Sequence, residues 1–326
     1  MINIRLIIQL ILFSVIISCS KNPTKTDSLI TDVEFNELGS DGPYLYGDTY
    51  YGRKSYITYY PGNIPVILSV PHGGDISPSE ISNRTYGVSV TDSNTIELGM
   101  AIRNYFFTNF NVRPYLVINN LKRNKLDANR DIVEAAQGNL YAERAFNEFH
   151  HYINSARQEI TNNFSTGFLF DIHGHGLNPD GFNDLRTWIG YLLSGDELDN
   201  SDTYIDQNIS INNTSIYSLI NTSNESLSNL LRGPRSLGSF FENNFYTALP
   251  SMSSPSPEGM RYFSGGHNTF LYGTNRNFNF NAIQLEFPFS DIRDTPESRN
   301  TFSSYFANII KEYIQTHTGI DILNID

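Results

Sequence analysis

Short apolar runs alternate along the chain with longer segments of helical periodicity, and this alternation limits the possible folds more than any other feature. The apolar runs occupy residues 65–70, 115–118, 167–172, 187–193 and 282–287, and the helical segments occupy 95–107, 141–160 and 302–313. Continuous apolar runs are typical of strands that are buried on both faces. The order therefore predicts an α/β fold, in which helices cover both faces of a mostly parallel or mixed sheet.

The composition fits a large globular domain and excludes several functional classes. The chain has 326 residues, of which 39% are hydrophobic, so it can build the core of one large domain. Its formal net charge of −12, without a long Lys/Arg run, disfavours nucleic acid as a partner. A single cysteine excludes an intramolecular disulfide and a cysteine-based zinc finger. We expect residues 41–326 to form one domain, with the Asn- and Ser-rich residues 199–229 as a surface insertion.

The beginning of the chain predicts an export signal. An apolar run from Leu6 to Ile17 follows Arg5, and it ends beside Cys19. About 12 apolar residues are too few to span a bilayer but suit a secretory signal. The position of Cys19 resembles that of the lipidated cysteine in bacterial lipoproteins; the alternative is an ordinary signal peptide with an incidental cysteine. We expect a signal peptide over 1–18, a lipidated cysteine and polar tether over 19–40, and a lipid-anchored protein in the cell envelope, in the periplasm or at the cell surface.

Histidine and carboxylate residues stand at the ends of three predicted strands. His72 follows the first of these strands, Asp171, His173 and His175 end the second, and Glu286 lies at the end of the third. In open α/β sheets, ligands bind beyond the carboxyl ends of the strands. Two histidines and a carboxylate form the ligand set of catalytic zinc that keeps one position open. We therefore expect a catalytic metal here, with Asp171 fixing the tautomer of a ligating histidine.

The remaining histidines have plainer interpretations. His150 and His151 lie on a predicted helix with an apolar stripe, so we expect them at its surface or in packing. We expect His317, close to the C-terminus, to be exposed to solvent. His72 alone is equally compatible with a loop histidine that bonds only the backbone.

Six short motifs follow one another along the chain. They are P-H-G-G at 71–74, D-x-x-T-x-E-L at 92–98, L-D-A-N-R at 126–130, D-I-H-G-H at 171–175, F-S-G-G-H at 263–267 and Q-L-E at 284–286. In this order the chain resembles the N-formylglutamate amidohydrolases, from about residue 66 to residue 289. The resemblance implies a zinc carboxypeptidase-like fold, the three-layer phosphorylase/hydrolase-like architecture, with one Zn²⁺ or other divalent ion per chain.

The resemblance also implies which residues hold the metal. His72 and His173 would be the histidine ligands, and Asp92 would be the carboxylate ligand because it heads the D-x-x-T-x-E-L motif. Asp75 is the alternative to Asp92, since His72-x-x-Asp75 has the ligand spacing of the carboxypeptidases.

The substrate-facing roles follow from the same resemblance. Asn129 and Arg130 would hold a substrate carboxylate, for which the planar guanidinium is well shaped. Glu286 would be the general base, taking a proton from a water that the metal activates and passing it to the leaving amine. His175 and His267 would orient the substrate or stabilise the oxyanion.

These roles describe a zinc-dependent hydrolase of an amide bond next to a carboxylate. Its substrate would be an N-acyl amino acid, an N-formylglutamate-like compound or a peptide. One alternative is a non-catalytic surface lipoprotein that binds glycan or peptide on the same fold. The other is a binuclear amidohydrolase, which is disfavoured because its H-x-H strand normally comes first in the chain.

Replacing Cys19 tests the predicted anchor. A Cys19→Ser variant lacks the thiol that would carry the lipid, so it should be recovered as soluble protein. The wild-type protein should instead partition with membranes in the same fractionation. Equal partitioning of the two proteins would contradict lipidation.

Overall fold

The computed structural model describes residues 38–39, 42–176, 184–274 and 279–324. The predicted signal peptide (1–18) and Cys19 lie outside these residues, as does most of the predicted tether (19–40). Within the described part of the chain, no helix combines the length and the hydropathy that crossing a bilayer requires.

Eight strands form one mixed sheet. They are β1 (Tyr50–Tyr51), β2 (Ile57–Tyr60), β3 (Val66–Val70), β4 (Tyr115–Asn119), β5 (Gly167–Gly174), β6 (Thr187–Gly190), β7 (Ala248–Leu249) and β8 (Phe280–Phe287). Their order across the sheet is β1-β2-β4-β3-β5-β8-β6-β7. The central strands β4, β3, β5 and β8 run parallel, whereas β2 and β6 run antiparallel to their neighbours β4 and β8. The predicted mostly parallel or mixed sheet is thus confirmed.

Ten α-helices accompany the sheet in the described residues. They are α1 (Thr95–Phe110), α2 (Ile132–Ala136), α3 (Leu140–Asn163), α4 (Gly195–Leu198), α5 (Asp202–Asn208), α6 (Tyr217–Thr222), α7 (Leu227–Arg232), α8 (Leu237–Asn243), α9 (His267–Gly273) and α10 (Pro296–Thr318). The three long predicted helices correspond to α1, α3 and α10. Further helical turns span Arg53–Ser55, Ile211–Asn213 and Phe289–Arg293.

The sheet separates two apolar cores, because successive side chains of a strand point to opposite faces. Leu68 and Phe170 pack on one face with residues of α1 and α10. Ile67 and Leu169, their neighbours in sequence, pack on the other face with residues of α3. The protein therefore has three layers, helix, sheet and helix, as predicted.

The segment 199–229 differs from the expected surface insertion. It contains α5, α6 and the start of α7, and its Ile205, Ile216, Leu219 and Leu227 belong to the same core as α10. These helices have only six or seven residues, so a helical period barely repeats within any of them. The burial of its apolar side chains was therefore not visible as a pattern.

The structure also corrects the expectation for His317. This residue lies in the last turn of α10 and is buried, with Nε2 donating to the carbonyl of Arg235 at 2.8 Å. It packs against the ring of Tyr313. The helix continues five residues beyond the predicted range, to Thr318, and this carries His317 back onto the fold.

We expect Phe306→Ala to destabilise the protein strongly. Phe306 is fully buried on α10 and packs edge-on against Phe170 of β5, with ring centroids 6.2 Å apart. Removing a buried phenylalanine side chain typically lowers the free energy of unfolding by about 3–5 kcal/mol. The matched control is Phe270→Ala on α9, where the side chain is 58% exposed. Denaturant unfolding measures both, and similar losses in the two variants would contradict the packing.

Candidate active site

The candidate site lies at the carboxyl ends of the central parallel strands. His72 follows β3, and His173 is the next-to-last residue of β5. Glu286 is in β8, directly opposite His173 in the strand register. The carboxyl ends of parallel strands meet at one edge of the sheet. These residues line a pocket with a volume of about 410 Å³.

His72, Asp92 and His173 converge in this pocket. The two Nδ1 atoms are 3.1 Å apart, and Oδ2 of Asp92 lies 3.2 Å from Nδ1 of His173 and 3.5 Å from Nδ1 of His72. All three side chains are buried. Asp75, the alternative carboxylate, is exposed and lies outside this group. The structure thus brings Asp92, and not Asp75, to the two histidines.

Backbone hydrogen bonds place Asp92 in this position. Its amide donates to the carbonyl of His72 at 3.0 Å, so the chain returns to the end of β3 before α1 begins. Asn94, with a left-handed φ of 63°, is the residue that caps α1. The carboxylate of Asp92 is therefore not used as a helix cap, and it accepts instead from the amide of Gly174 at 3.2 Å.

Two further carboxylates, those of Asp127 and Asp171, orient the two imidazole rings. Nε2 of His72 lies 2.6 Å from Asp127, and Nε2 of His173 lies 2.8 Å from Asp171. A neutral imidazole carries one N–H, which it donates to its carboxylate partner. Both Nδ1 lone pairs then point at each other and at Asp92.

Three converging acceptors fit a cation. Unless a metal ion or a proton lies between them, the lone pairs of His72, His173 and Asp92 would repel each other at these distances. Two imidazole nitrogens and one carboxylate oxygen form a ligand set that is typical of catalytic divalent-metal sites. In such sites a carboxylate commonly holds the far side of each imidazole ring. Asp171 has the orienting position that the sequence predicted for it.

The pKa values of His173 and Asp92 also indicate a site that favours positive charge. Burial lowers the pKa of His173, but Asp171, Asp92 and Glu286 together outweigh it and raise that pKa to about 10. Burial raises the pKa of Asp92, yet hydrogen bonds to His173 and His72 hold it well below its ordinary value. The cluster therefore binds a proton where a metal ion would lie, and metal binding would release that proton.

Glu286 stands beside the three converging side chains. Its Oε1 is 4.0 Å from Nδ1 of His173 and accepts from Nε2 of Gln284 at 2.9 Å. Burial raises the pKa of Glu286, and a carboxylate with a raised pKa accepts a proton more readily than an ordinary one.

Asn129 and Arg130 both line the pocket, but their side chains differ in their exposure to solvent. Asn129 is buried, and its Oδ1 accepts from the amide of Asn268 at 2.8 Å. Arg130 is about one-third exposed, with Nε 3.3 Å from Glu134 and Nη1 donating to the carbonyl of Asn129 at 2.7 Å. The guanidinium is therefore held at the pocket wall and remains accessible.

The two remaining predicted histidines have different positions. His175 lines the pocket and stacks on Trp188, with centroids 4.3 Å apart, and burial lowers its pKa. His267 begins α9 and lies 5.8 Å from the ring of His150, outside the pocket lining. His150 itself is buried and bonded to the Tyr272 hydroxyl at 2.6 Å, so its predicted packing role fits.

Two charged residues of the site were not predicted. Asp127 lies within the L-D-A-N-R motif, so its place beside Asn129 was the available signal. Arg123 donates from Nε to Asp127 at 3.0 Å and from Nη1 to Asp92 at 3.4 Å. No motif or spacing marks Arg123 in the sequence.

Comparison with known proteins gives structural likenesses only. No family model matches the chain, and no curated protein matches it. An N-formylglutamate amidohydrolase from Ralstonia eutropha JMP134 is similar, with 13% identity, a TM-score of 0.49, and coverage of 81% of this chain and 99% of that chain. A gene product of Agrobacterium tumefaciens is similar with 10% identity, a TM-score of 0.49, and coverage of 80% of this chain and 95% of that chain. A succinylglutamate desuccinylase from Chromobacterium violaceum is similar with 10% identity, a TM-score of 0.32, and coverage of 91% of this chain and 79% of that chain.

Metal titration tests the ligand set. His173→Ala removes one of three converging ligands and should abolish stoichiometric Zn²⁺ binding. Asp127→Asn leaves the ligands in place but disturbs the orientation of His72, so Zn²⁺ affinity should fall about 10–100-fold. Asp206→Asn is the control, because Asp206 bonds Ser228 far along the chain from the site. Competition with a chelator measures all three, and wild-type affinity in His173→Ala would place the metal elsewhere.

Proposed function

We propose that this protein is a metal-dependent hydrolase that cleaves an amide bond next to a carboxylate. Candidate substrates are an N-acyl amino acid, an N-formylglutamate-like compound and a peptide. The observation that carries the proposal is the convergence of three candidate ligand atoms beside Glu286, in a pocket that Arg130 also lines.

The donor set identifies the residues that would hold the ion. His72, Asp92 and His173 offer two nitrogens and one oxygen, a combination that zinc accepts readily. When bound, the ion would supply a Lewis acid that polarises the substrate carbonyl and makes water more acidic.

Glu286 would move the proton. Its carboxylate takes a proton from the attacking water and delivers it to the nitrogen of the leaving amine, so that one group serves both halves of the reaction. The hydrogen bond from Gln284 fixes Oε1 on the pocket side of β8. Burial raises the pKa of Glu286 above that of an ordinary glutamate, which favours its uptake of a proton.

Arg130 would position the substrate. Glu134 and the carbonyl of Asn129 fix two of its nitrogens, so the guanidinium loses little freedom when it binds a ligand. Its planar donors match the two oxygens of a carboxylate. This contact would align the neighbouring amide bond with Glu286.

The proposal extends to the location of the enzyme. The apolar run before Cys19 supports export and a lipid anchor in the cell envelope, with the membrane as a partner through that anchor. The domain would then act on small substrates outside the cytoplasm.

Glu286→Gln tests the chemistry. The amide has nearly the same shape but cannot accept the proton, so kcat should fall roughly 10²–10⁴-fold. Bound Zn²⁺ and the free energy of unfolding should stay near their wild-type values, since Glu286 is outside the ligand set. Glu159→Gln, an exposed residue on α3, is the control. The measurement is release of free amino acid from a panel of N-acyl amino acids.

Full activity of Glu286→Gln would remove Glu286 as the base. Absence of hydrolysis by the Zn²⁺-loaded wild-type enzyme over the whole panel and over dipeptides would contradict the proposed function itself.

A further inference from the structure

The pocket has two walls on opposite sides of β5 and β8. Segment 88–92 and Arg130 form one wall, and they follow β3 and β4 in the chain. Trp188 of β6 and segment 261–266 form the other, since β6 lies beyond β8 in the sheet. A substrate that spans the pocket therefore meets different chemistry at its two ends.

The wall of Arg130 carries two exposed valines. Val88 is 47% exposed and Val90 is 72% exposed, and both line the pocket. Arg84 connects Val88 to Arg130, because it donates to the carbonyl of Val88 at 2.7 Å and lies 3.6 Å from Glu134, the partner of Arg130. The valines and the candidate carboxylate-binding guanidinium thus belong to one surface.

The cations of this wall are already paired. Arg84 lies 3.8 Å from Asp127, and Arg123 is 3.0 Å from Asp127 and 3.4 Å from Asp92. Two guanidinium groups of this wall line the pocket, those of Arg123 and Arg130, and Arg130 lies 3.3 Å from Glu134. Once Arg130 binds the α-carboxylate of a substrate, the described residues of this wall offer no unpaired guanidinium to a second anion, since Arg261 belongs to the opposite wall.

Resting on the proposed function, we propose that the amino acid released by this enzyme has an apolar side chain. With its carboxylate at Arg130, the amino acid places its side chain on the same wall, where Val88 and Val90 supply apolar surface. Burying apolar groups against each other is favourable, whereas a carboxylate side chain would lose water without gaining a cation. Leucine-like amino acids are therefore preferred over glutamate.

Three matched substrates test this preference on the Zn²⁺-loaded enzyme. They share one acyl group: N-acetyl-L-leucine, N-acetyl-L-glutamine and N-acetyl-L-glutamate. We expect kcat/KM for the leucine compound to exceed that for the glutamate compound by at least about tenfold, the low end of discrimination by an apolar pocket. The glutamine compound, which is polar but uncharged, should fall between them.

The results separate this inference from the proposed function. Glutamate turnover equal to or faster than leucine turnover would overturn the side-chain preference and leave the hydrolase intact. No turnover of these three compounds, of the other N-acyl amino acids or of dipeptides would overturn the proposed function, and the preference with it.

A charge on the apolar wall tests which residues set the preference. Val90→Lys places a cation beside the substrate side chain, so the leucine-to-glutamate ratio of kcat/KM should fall about tenfold. Val133→Lys is the control, because Val133 is 68% exposed on α2 and does not line the pocket. Thermal unfolding confirms that both variants are folded. An unchanged ratio in Val90→Lys, or the same change in Val133→Lys, would overturn the role of this wall.

Discussion

The pairing of each site histidine with its own carboxylate is the interaction on which the rest of the site depends. Asp127 and Asp171 accept from the far nitrogens of His72 and His173, and this decides where the two remaining lone pairs point. If either carboxylate were absent, its ring would be free to turn and to present an N–H to the pocket. The candidate cation site is thus created by groups that lie behind the candidate ligands.

The carboxylates themselves are buried, and the fold supplies their other partners. Asp171 accepts from the hydroxyl of Ser69 on β3 and from the side chain of Asn268 on α9. Arg123 donates to Asp127. A buried carboxylate is costly unless it is paired and hydrogen-bonded. Two neighbouring strands and a helix therefore have to be in place before the histidines are oriented.

The sequence was sufficient for the parts of the structure that follow a period or a strand end. The central strands, the long helices and the placement of His72, His173 and Glu286 at one edge all follow from local patterns. Asp127 and Arg123 were missed because their roles come from contacts across the chain; Asp127 meets His72 over 55 residues. The motif alone could not place His267, which begins α9 with its ring near Phe146 of α3 and outside the pocket lining, so its substrate role stays a prediction.

The ligand atoms come from distant parts of the chain, and His72 and His173 are separated by 101 residues. An unfolded chain has no such cluster, so the ion would bind the folded state alone. Binding of this kind shifts the folding equilibrium by mass action, adding about 2.7 kcal/mol of stability when the free ion is at 100 times its Kd. If the proposed ion binds, the supply of metal around the protein would set how long the folded chain persists.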